Sequence, residues 1–324
     1  MANIPQSKPL HSTAGGKELL KCVQSLFPKL EEKNKKGDCG RIAVIGGSQE
    51  YTGAPYFAAI SSLKFGADIL HVFCPKEAAT VIKSYSPELI VHPLLSVGNG
   101  DNKWKEIFDW LDRVNAVVIG PGLGRNDDML PVFRQLIEEI KKRSLSLVVD
   151  ADGLHFAGKC NEVFRDYKQA ILTPNFGEFS KLYKAVLGDE PKKSDVENGE
   201  AVRALAKSLG HLTIVQKGNP DHISDGKELL KCDHPGSPRR CGGQGDLLSG
   251  SLAPLAFWAG RNSSSSDCDS QLSRYGPTMI AGYTGCMLTR ECSNIAYEKA
   301  GRTMTTTDLI DAIPELLDRL SVLK

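Results

Sequence analysis

Two hydrophobic patterns alternate along this chain: short, nearly continuous β-branched runs, and longer stretches with apolar residues at helical spacing. Arg41–Gly47 (RIAVIGG), Asp68–Cys74 (DILHVFC), Ala116–Gly120 (AVVIG), Leu145–Asp150 (LSLVVD) and Ala170–Thr173 (AILT) predict strands. A strand covered on both faces reads as an unbroken apolar run rather than as alternation. Between these runs, Gly53–Gly66, Met129–Arg143 and Asn175–Leu187 carry helical spacing. Strand following helix in this way predicts an α/β fold, with a mostly parallel central sheet and helices on both faces. The loops after the strand C-termini carry GGS, GPGLG, DADG and TPN, and such sheets bind ligands there.

Late in the chain the pattern changes. His222–Ser224 and Glu228–Cys232 flank Asp225-Gly226, a two-residue hairpin signal. Helices are predicted over Gly245–Gly260, Pro277–Ala300 and Thr307–Leu320, with the polar segment 261–270 (RNSSSSDCDS) as a mobile surface loop. Residues 1–14 are rich in turn formers and lack apolar periodicity, which predicts a disordered extension ahead of one domain spanning 15–324.

Composition narrows the function classes. The chain has 41% hydrophobic and 24% charged residues, as a globular protein with a real core does. Its net charge is +1, from 40 basic and 39 acidic side chains. No basic stripe interleaved with aromatics is present, so nucleic acid is not an expected partner. The apolar runs are too short for a membrane span. Nine cysteines without CxxC pairs predict reduced thiols and a cytosolic protein. A mitochondrial form would need an alternative start.

Three glycine-bearing loops compete for chemistry. IAVIGGSQEYTG follows a strand but lacks G-x-G-x-x-G, and Pro55 interrupts the next helix, which argues against a dinucleotide-binding unit. No G-x-x-x-x-G-K-[ST] occurs, and GPGLGR can be a structural turn. The stretch 239–250, RRCGGQGDLLSG, combines more features. Gly242, Gly243 and Gly245 free the backbone to wrap its N–H groups round a phosphate, at the positive end of a helix. Arg239 and Arg240 add fork-shaped donors. Asp246 repels phosphate, so it serves there either as a helix cap or as a base for a hydroxyl that attacks the phosphate.

The G-x-G-D loop opening a late helix, with Asn175 and Glu178 forming an upstream N-x-x-E, resembles ribokinase-like enzymes. The series GRIAVIGGSQEYTGAPYFAA, GPGLGR, DADGL, LTPNFGEFSKL, VQKGNPD and GSPRRCGGQGDLLSGSLA resembles, more narrowly, the eukaryotic ATP-dependent (S)-NAD(P)H-hydrate dehydratases, over roughly residues 15–320.

That resemblance implies a substrate in which NADH or NADPH has added water across the nicotinamide ring (NADHX or NADPHX). ATP phosphorylates the hydroxyl, phosphate leaves with help from the ring nitrogen, and NAD(P)H is restored. It further implies that Asp246 is the base and that the N–H groups of Gly243–Gly245 form the anion hole. The matching ATP-binding segments are Lys217, Gly218, Asn219, Pro220 and Asp221, and Gly236, Ser237, Pro238, Arg239, Arg240, Cys241, Gly242, Gly243, Gln244 and Gly245. Lys217 and Arg239 are the charges expected nearest the phosphates. Gly122 and the run Asn175, Phe176, Gly177, Glu178, Phe179, Ser180 and Lys181 match the substrate segments, with Glu178 acting on Mg²⁺ through water. An NAD(P)H-hydrate epimerase is the implied functional partner, and a homo-oligomer is compatible with the sequence.

Plainer roles stand beside these. Asn175 after Pro174 can be a helix cap, Lys181 a solvated charge, and His71 and His155 satisfied core groups. Asp150 and Asp152 in DADG can bind a ligand or form an ordinary turn, and stay unassigned. Two other functions fit the motifs: a ribokinase-fold kinase of a hydroxymethyl vitamin precursor, which keeps the phosphate on its product, and a nucleotide-binding module without catalysis.

Overall fold

The computed structural model describes residues 14–97, 102–262 and 269–322. Nine strands form one sheet: β1 Arg41–Ile45, β2 Ile69–Phe73, β3 Ile90–His92, β4 Ala116–Ile119, β5 Ser146–Val149, β6 Ala170–Leu172, β7 Thr213–Gln216, β8 Asp221–Ser224 and β9 Leu229–Cys232. Their order is β3-β2-β1-β4-β5-β6-β7-β8-β9. From β3 to β7 each neighbouring pair is parallel, and the hairpin β8–β9 adds antiparallel strands at one edge. The chain moves outward from β1 through β2 and β3, then returns to β4 on the other side. The crevice at such a reversal is where open α/β sheets bind ligands. Here Gly47 N–H donates to Pro121 O at 2.9 Å, tying the GGS loop to the GPGLG loop.

Side-chain alternation explains why the strands are apolar throughout. Ile42 and Val44 of β1 enter one core, with helices Gly53–Lys64, Gln244–Asn262 and Pro277–Ala300. Ala43 and Ile45 enter the other, with helices Met129–Lys142, Asp152–Lys159 and Phe176–Leu187. A side chain the size of Ile or Phe contributes about 1.5–3 kcal/mol on full burial, and both faces of each central strand gain it. Helix Gln244–Asn262 is fixed on Gly53–Lys64 by Ser62, whose buried hydroxyl donates to Gly250 O at 2.6 Å. The start of that helix is thereby held over the sheet's C-terminal edge.

Several predicted boundaries shift. The stretch expected as one helix over Thr307–Leu320 is two, Thr306–Asp311 and Ile313–Arg319, with Pro314 in the first turn of the second. Proline lacks an N–H and clashes with the carbonyl four residues back, which disfavours a helix interior and suits the first turn, where Pro314 stands. Of the segment 261–270, residues 261–262 end one helix and 269–270 begin another, Asp269–Tyr275; the rest lies outside the described residues. The expected extension 1–14 also lies outside them, except Ala14, which opens helix Ala14–Leu26. Seven described cysteines are free, but Cys22 is disulfide-bonded, which corrects the expectation that every thiol is reduced. No described helix is long and apolar enough to cross a membrane.

Candidate active site

The ends of β5, β6 and β7 deliver three segments to one place. Asp150 follows β5, Thr173 to Asn175 follow β6, and Lys217 follows β7. Lys217 N–H donates to Pro174 O at 2.8 Å, which locks the last two together. Asp150 is 1% exposed, and its Oδ1 accepts both Thr173 Oγ1 at 2.7 Å and Lys217 Nζ at 2.9 Å. The Glu178 carboxylate lies 4.0 Å from the same ammonium. Burial works against the Lys217 charge, but Asp150 and Glu178 outweigh it and its pKa is raised. Lys217 is therefore a fixed cation.

Asn175 is a helix cap. Its side chain accepts Glu178 N–H at 3.0 Å, and the Glu178 carboxylate accepts Asn175 N–H at 2.8 Å. This reciprocal box satisfies the first turn of Phe176–Leu187. Asn175 also lines the main cavity, so the cap and a binding role coexist. Burial raises the Glu178 pKa against the pull of Lys217.

The glycine loop completes the site. The helix begins at Gln244, so Asp246 is its third residue. Leu247 N–H is the first to turn back, onto Gly243 O at 3.0 Å. Among the described residues, the N–H groups of Gly243, Gln244, Gly245 and Asp246 have no acceptor. Four convergent donors at a helix start form an anion site. Gly243 has φ +92°, and a Cβ there would stand 2.8 Å from Thr306 Oγ1, so only glycine fits. The Thr306 hydroxyl donates to Gly242 O at 2.5 Å and holds the loop.

The Asp246 carboxyl makes no hydrogen bond or ion pair among the described residues, so it does not cap the helix. Burial, and then the charge of Asp150, push its pKa well above the ordinary range, while Lys217 opposes them. An unbonded carboxyl with raised proton affinity, beside an anion site, is suited to take a proton from a hydroxyl.

A cavity of about 600 Å³ opens over these groups and is lined by Lys217, Asn219, Gly236, Arg240, Gln244 and Gly245, among others. Both expected ATP segments thus share one cavity. Other expected residues sit differently. Asp221 lines the cavity, but its carboxylate is engaged by Gly218 N–H at 2.8 Å and Arg290 Nε at 2.7 Å. Arg240 lines the cavity, whereas Arg239 and Pro238 are exposed and outside its lining. Ser237 is buried and paired with Ser293 at 2.5 Å. Cys241 is half-buried at the cavity wall.

In the substrate segment, Phe179 is fully buried in the core, so its side chain meets no ligand; helical spacing turns it away from its exposed neighbours Phe176 and Gly177. Ser180 Oγ donates back to Phe176 O at 3.1 Å. Lys181 is exposed and lines a second cavity of about 210 Å³ with Glu178, Arg125 and His155. His155 is thus at a cavity wall, whereas His71 is a core group bonded to His92 at 3.0 Å. Gly122 packs against the Tyr51 backbone.

The sequence signals left Asp150 unassigned and missed Thr173, Thr306 and Arg290. Arg290, in the long helix Pro277–Ala300, clamps Gly218 O at 2.7 Å and His234 O at 3.1 Å besides Asp221. It ties the loop Lys217–Asp221 to the stretch leading into Gly236, both expected ATP segments, and no sequence motif pointed to it.

The family profile described as NAD(P)H-hydrate dehydratase matches residues 42–315. The chain belongs to this family. Proteins named ATP-dependent (S)-NAD(P)H-hydrate dehydratase are 47% identical over 310 residues in Mus musculus, covering 96% of this chain and 88% of that protein. The Danio rerio protein of that name is 48% identical, over 95% of this chain and 90% of its own. Among solved structures, the Bacillus subtilis ADP/ATP-dependent NAD(P)H-hydrate dehydratase, co-crystallised with ATP/Mg²⁺, aligns with a TM-score of 0.67 at 20% identity, covering 92% of this chain and 96% of that one. A ribokinase-like superfamily protein from Enterococcus faecalis aligns at 0.73 and 18% identity, over 94% and 95%. The fold of this dehydratase-family chain is ribokinase-like.

Magnesium fits the donor set in one way only. Among the described residues no three acidic, His or Cys side chains gather closely enough to hold a metal. Magnesium at nucleotide sites keeps several waters and uses few carboxylates. The partly exposed Glu178 carboxylate, on the wall of the second cavity and 4.0 Å from Lys217 Nζ, suits such contact through water.

Proposed function

We propose that this chain catalyses the ATP-dependent dehydration of the S-epimer of hydrated NADH or NADPH, yielding NAD(P)H, ADP and phosphate. The observation that carries it is the Asp246 carboxyl, unbonded and raised in proton affinity, beside four free backbone N–H groups. The family relationship supplies the substrate class. Hydroxide is a poor leaving group and phosphate a good one, so the hydroxyl must first be phosphorylated. Asp246 takes the hydroxyl proton as the oxygen attacks the γ-phosphorus. The N–H groups of Gly243 to Asp246 stabilise the moving phosphoryl group, in a reaction that rests mainly on positioning and charge stabilisation. Lys217 and Arg240 bring cations to the phosphates. Glu178 would hold Mg²⁺ through water, and the ion would neutralise phosphate charge. The epimerase partner remains part of the proposal, since only one epimer is taken.

The test is direct. Purified protein is mixed with acid-hydrated NADH and MgATP, and dihydronicotinamide absorbance, ADP and phosphate are followed together. All three should rise in step. ADP formed while phosphate stays on an organic product would favour a kinase instead, and no ADP at all would leave only a binding module.

A further inference from the structure

Restoring the ring needs two protons to leave. Water added across a ring double bond puts a hydroxyl on the carbon beside the nitrogen and a hydrogen on the next carbon. Asp246 deals with the hydroxyl proton. When phosphate departs, the C–O bond breaks with its electron pair going to phosphate, and the nitrogen lone pair forms a C=N⁺ bond. The neighbouring C–H must then give up its proton, so that its electron pair makes the C=C bond and nitrogen regains its lone pair. Asp246 is by then protonated, so the carbon-bound proton must go to another acceptor, either a second side chain or the departing phosphate itself.

Building on the dehydratase reading above, we propose that Asp150 is that acceptor and that its Oδ2 takes the carbon-bound proton. Asp150 Oδ1 is held by Thr173 and Lys217, which aims the carboxylate and leaves Oδ2 without a hydrogen-bond partner among the described residues. Gly245 provides the approach: a Cβ at 245 would stand 3.8 Å from Asp150 Oδ2 and 3.4 Å from Lys217 Nζ. The missing side chain therefore leaves a gap between the anion loop and the buried pair, at the wall of the main cavity. Glu178 is the other carboxylate near Lys217, but none of its atoms stands within 4 Å of a Cβ at 245, where Asp150 Oδ2 does. The Lys217 ammonium, 2.9 Å from Asp150 Oδ1, fixes the position of the carboxylate. Afterwards the proton returns to solvent through the cavity.

Asp150→Asn tests this by the ratio of ADP formed to dihydronicotinamide restored. In the wild type the ratio is one; if it is not, the dehydratase reading itself fails. In D150N, ADP formation should fall less than about tenfold, while restoration falls by roughly 10²-fold or more, the usual range for loss of a positioned base. ADP then outruns restoration, whether phosphorylated hydrate accumulates or water recaptures the cation. An equal loss of both would overturn the proposal, because Asp150 would then only hold Lys217. Uncoupling in Glu178→Gln but not in D150N would also overturn it. If D150N does not fold, Thr173→Val is read the same way: it keeps the carboxylate but strips one of its two donors. Uncoupling there supports the proposal, and an unchanged ratio overturns it.

Discussion

Asp246 is held where its charge is unwelcome: in the helix Gln244–Asn262, mostly out of water and near the Asp150 carboxylate. Its folded-state pKa is raised, so the native state binds a proton that the unfolded chain releases at the same pH. That contribution to stability is present below the ordinary aspartate pKa and is lost as pH rises through the raised value. Above that raised value the ionised carboxylate is a cost, and Asp246→Asn should melt no lower than wild type. Since Asp246 caps nothing, no capping energy is lost either. Turnover should nonetheless fall by roughly 10²–10⁴-fold, the range for removing a general base, with nucleotide binding retained. Steady-state rates and thermal melting check both halves; near wild-type turnover would end the catalytic assignment. Asp246 stood out in the sequence because an acid in a glycine loop beside arginines opposes phosphate binding unless it moves a proton. Asp150 did not, because DADG serves equally well as a turn, and only the fold brings Lys217 to it across many residues.

The edge of the sheet formed by β2 and β3 carries a second pH-sensitive feature, remote from the nucleotide cavity. His71 on β2 and His92 on β3 share a hydrogen bond of 3.0 Å, with rings 5.2 Å apart, and Trp110 lies over both. One ring must donate and the other accept, so the two rings cannot both be protonated in this arrangement. Burial pushes His92 down to about 4, with His71 and Lys83 adding to it; burial also lowers His71, with Arg41 and Arg113 adding. Stability is then fully present above the unfolded histidine pKa of about 6.5, and drains away as pH falls from there toward 4. The melting temperature should drop by several degrees between pH 7 and pH 5, and His92→Gln should flatten that slope. An equal slope in both proteins would assign the acid sensitivity elsewhere. β3 itself was not foreseen, since three residues (IVH) are too short to show a period. Longer apolar runs such as β1, β4 and β5 were legible because burial on both faces leaves no polar position to break them. Where the reading failed at Thr307–Leu320, apolar spacing had been followed through Pro314 against the backbone chemistry of proline.

At the scale of the molecule, the topology gathers loops from β1, β4, β5, β6 and β7 at one edge of the sheet, and the anion loop closes over them. This scaffold is shared with proteins as low as 18–20% identical, so it does not by itself decide which nucleotide is consumed. That choice belongs to side chains and loop lengths around the cavity. Here the vertebrate relatives at 46–48% identity are named ATP-dependent, while the Bacillus subtilis protein at 20% is named ADP/ATP-dependent. On the proposed reading, the donors in this chain receive the third phosphate. The four free N–H groups lie at the Asp246 end of the cavity, and Arg240 and the clamp of Arg290 on Gly218 hold the remainder of its wall. A nucleotide one phosphate shorter must either leave the N–H groups empty or shift out of the Gly218–Asp221 and Gly236–Gly245 segments to reach them. Losing even one charge-assisted contact of about 1.4 kcal/mol is tenfold in binding. We expect kcat/KM with MgATP to exceed that with MgADP by at least about tenfold, measured as restoration of hydrated NADH at matched magnesium. Equal efficiency would show that the phosphoryl group reaches Asp246 from a differently seated nucleotide, and would return the assignment of both segments to experiment.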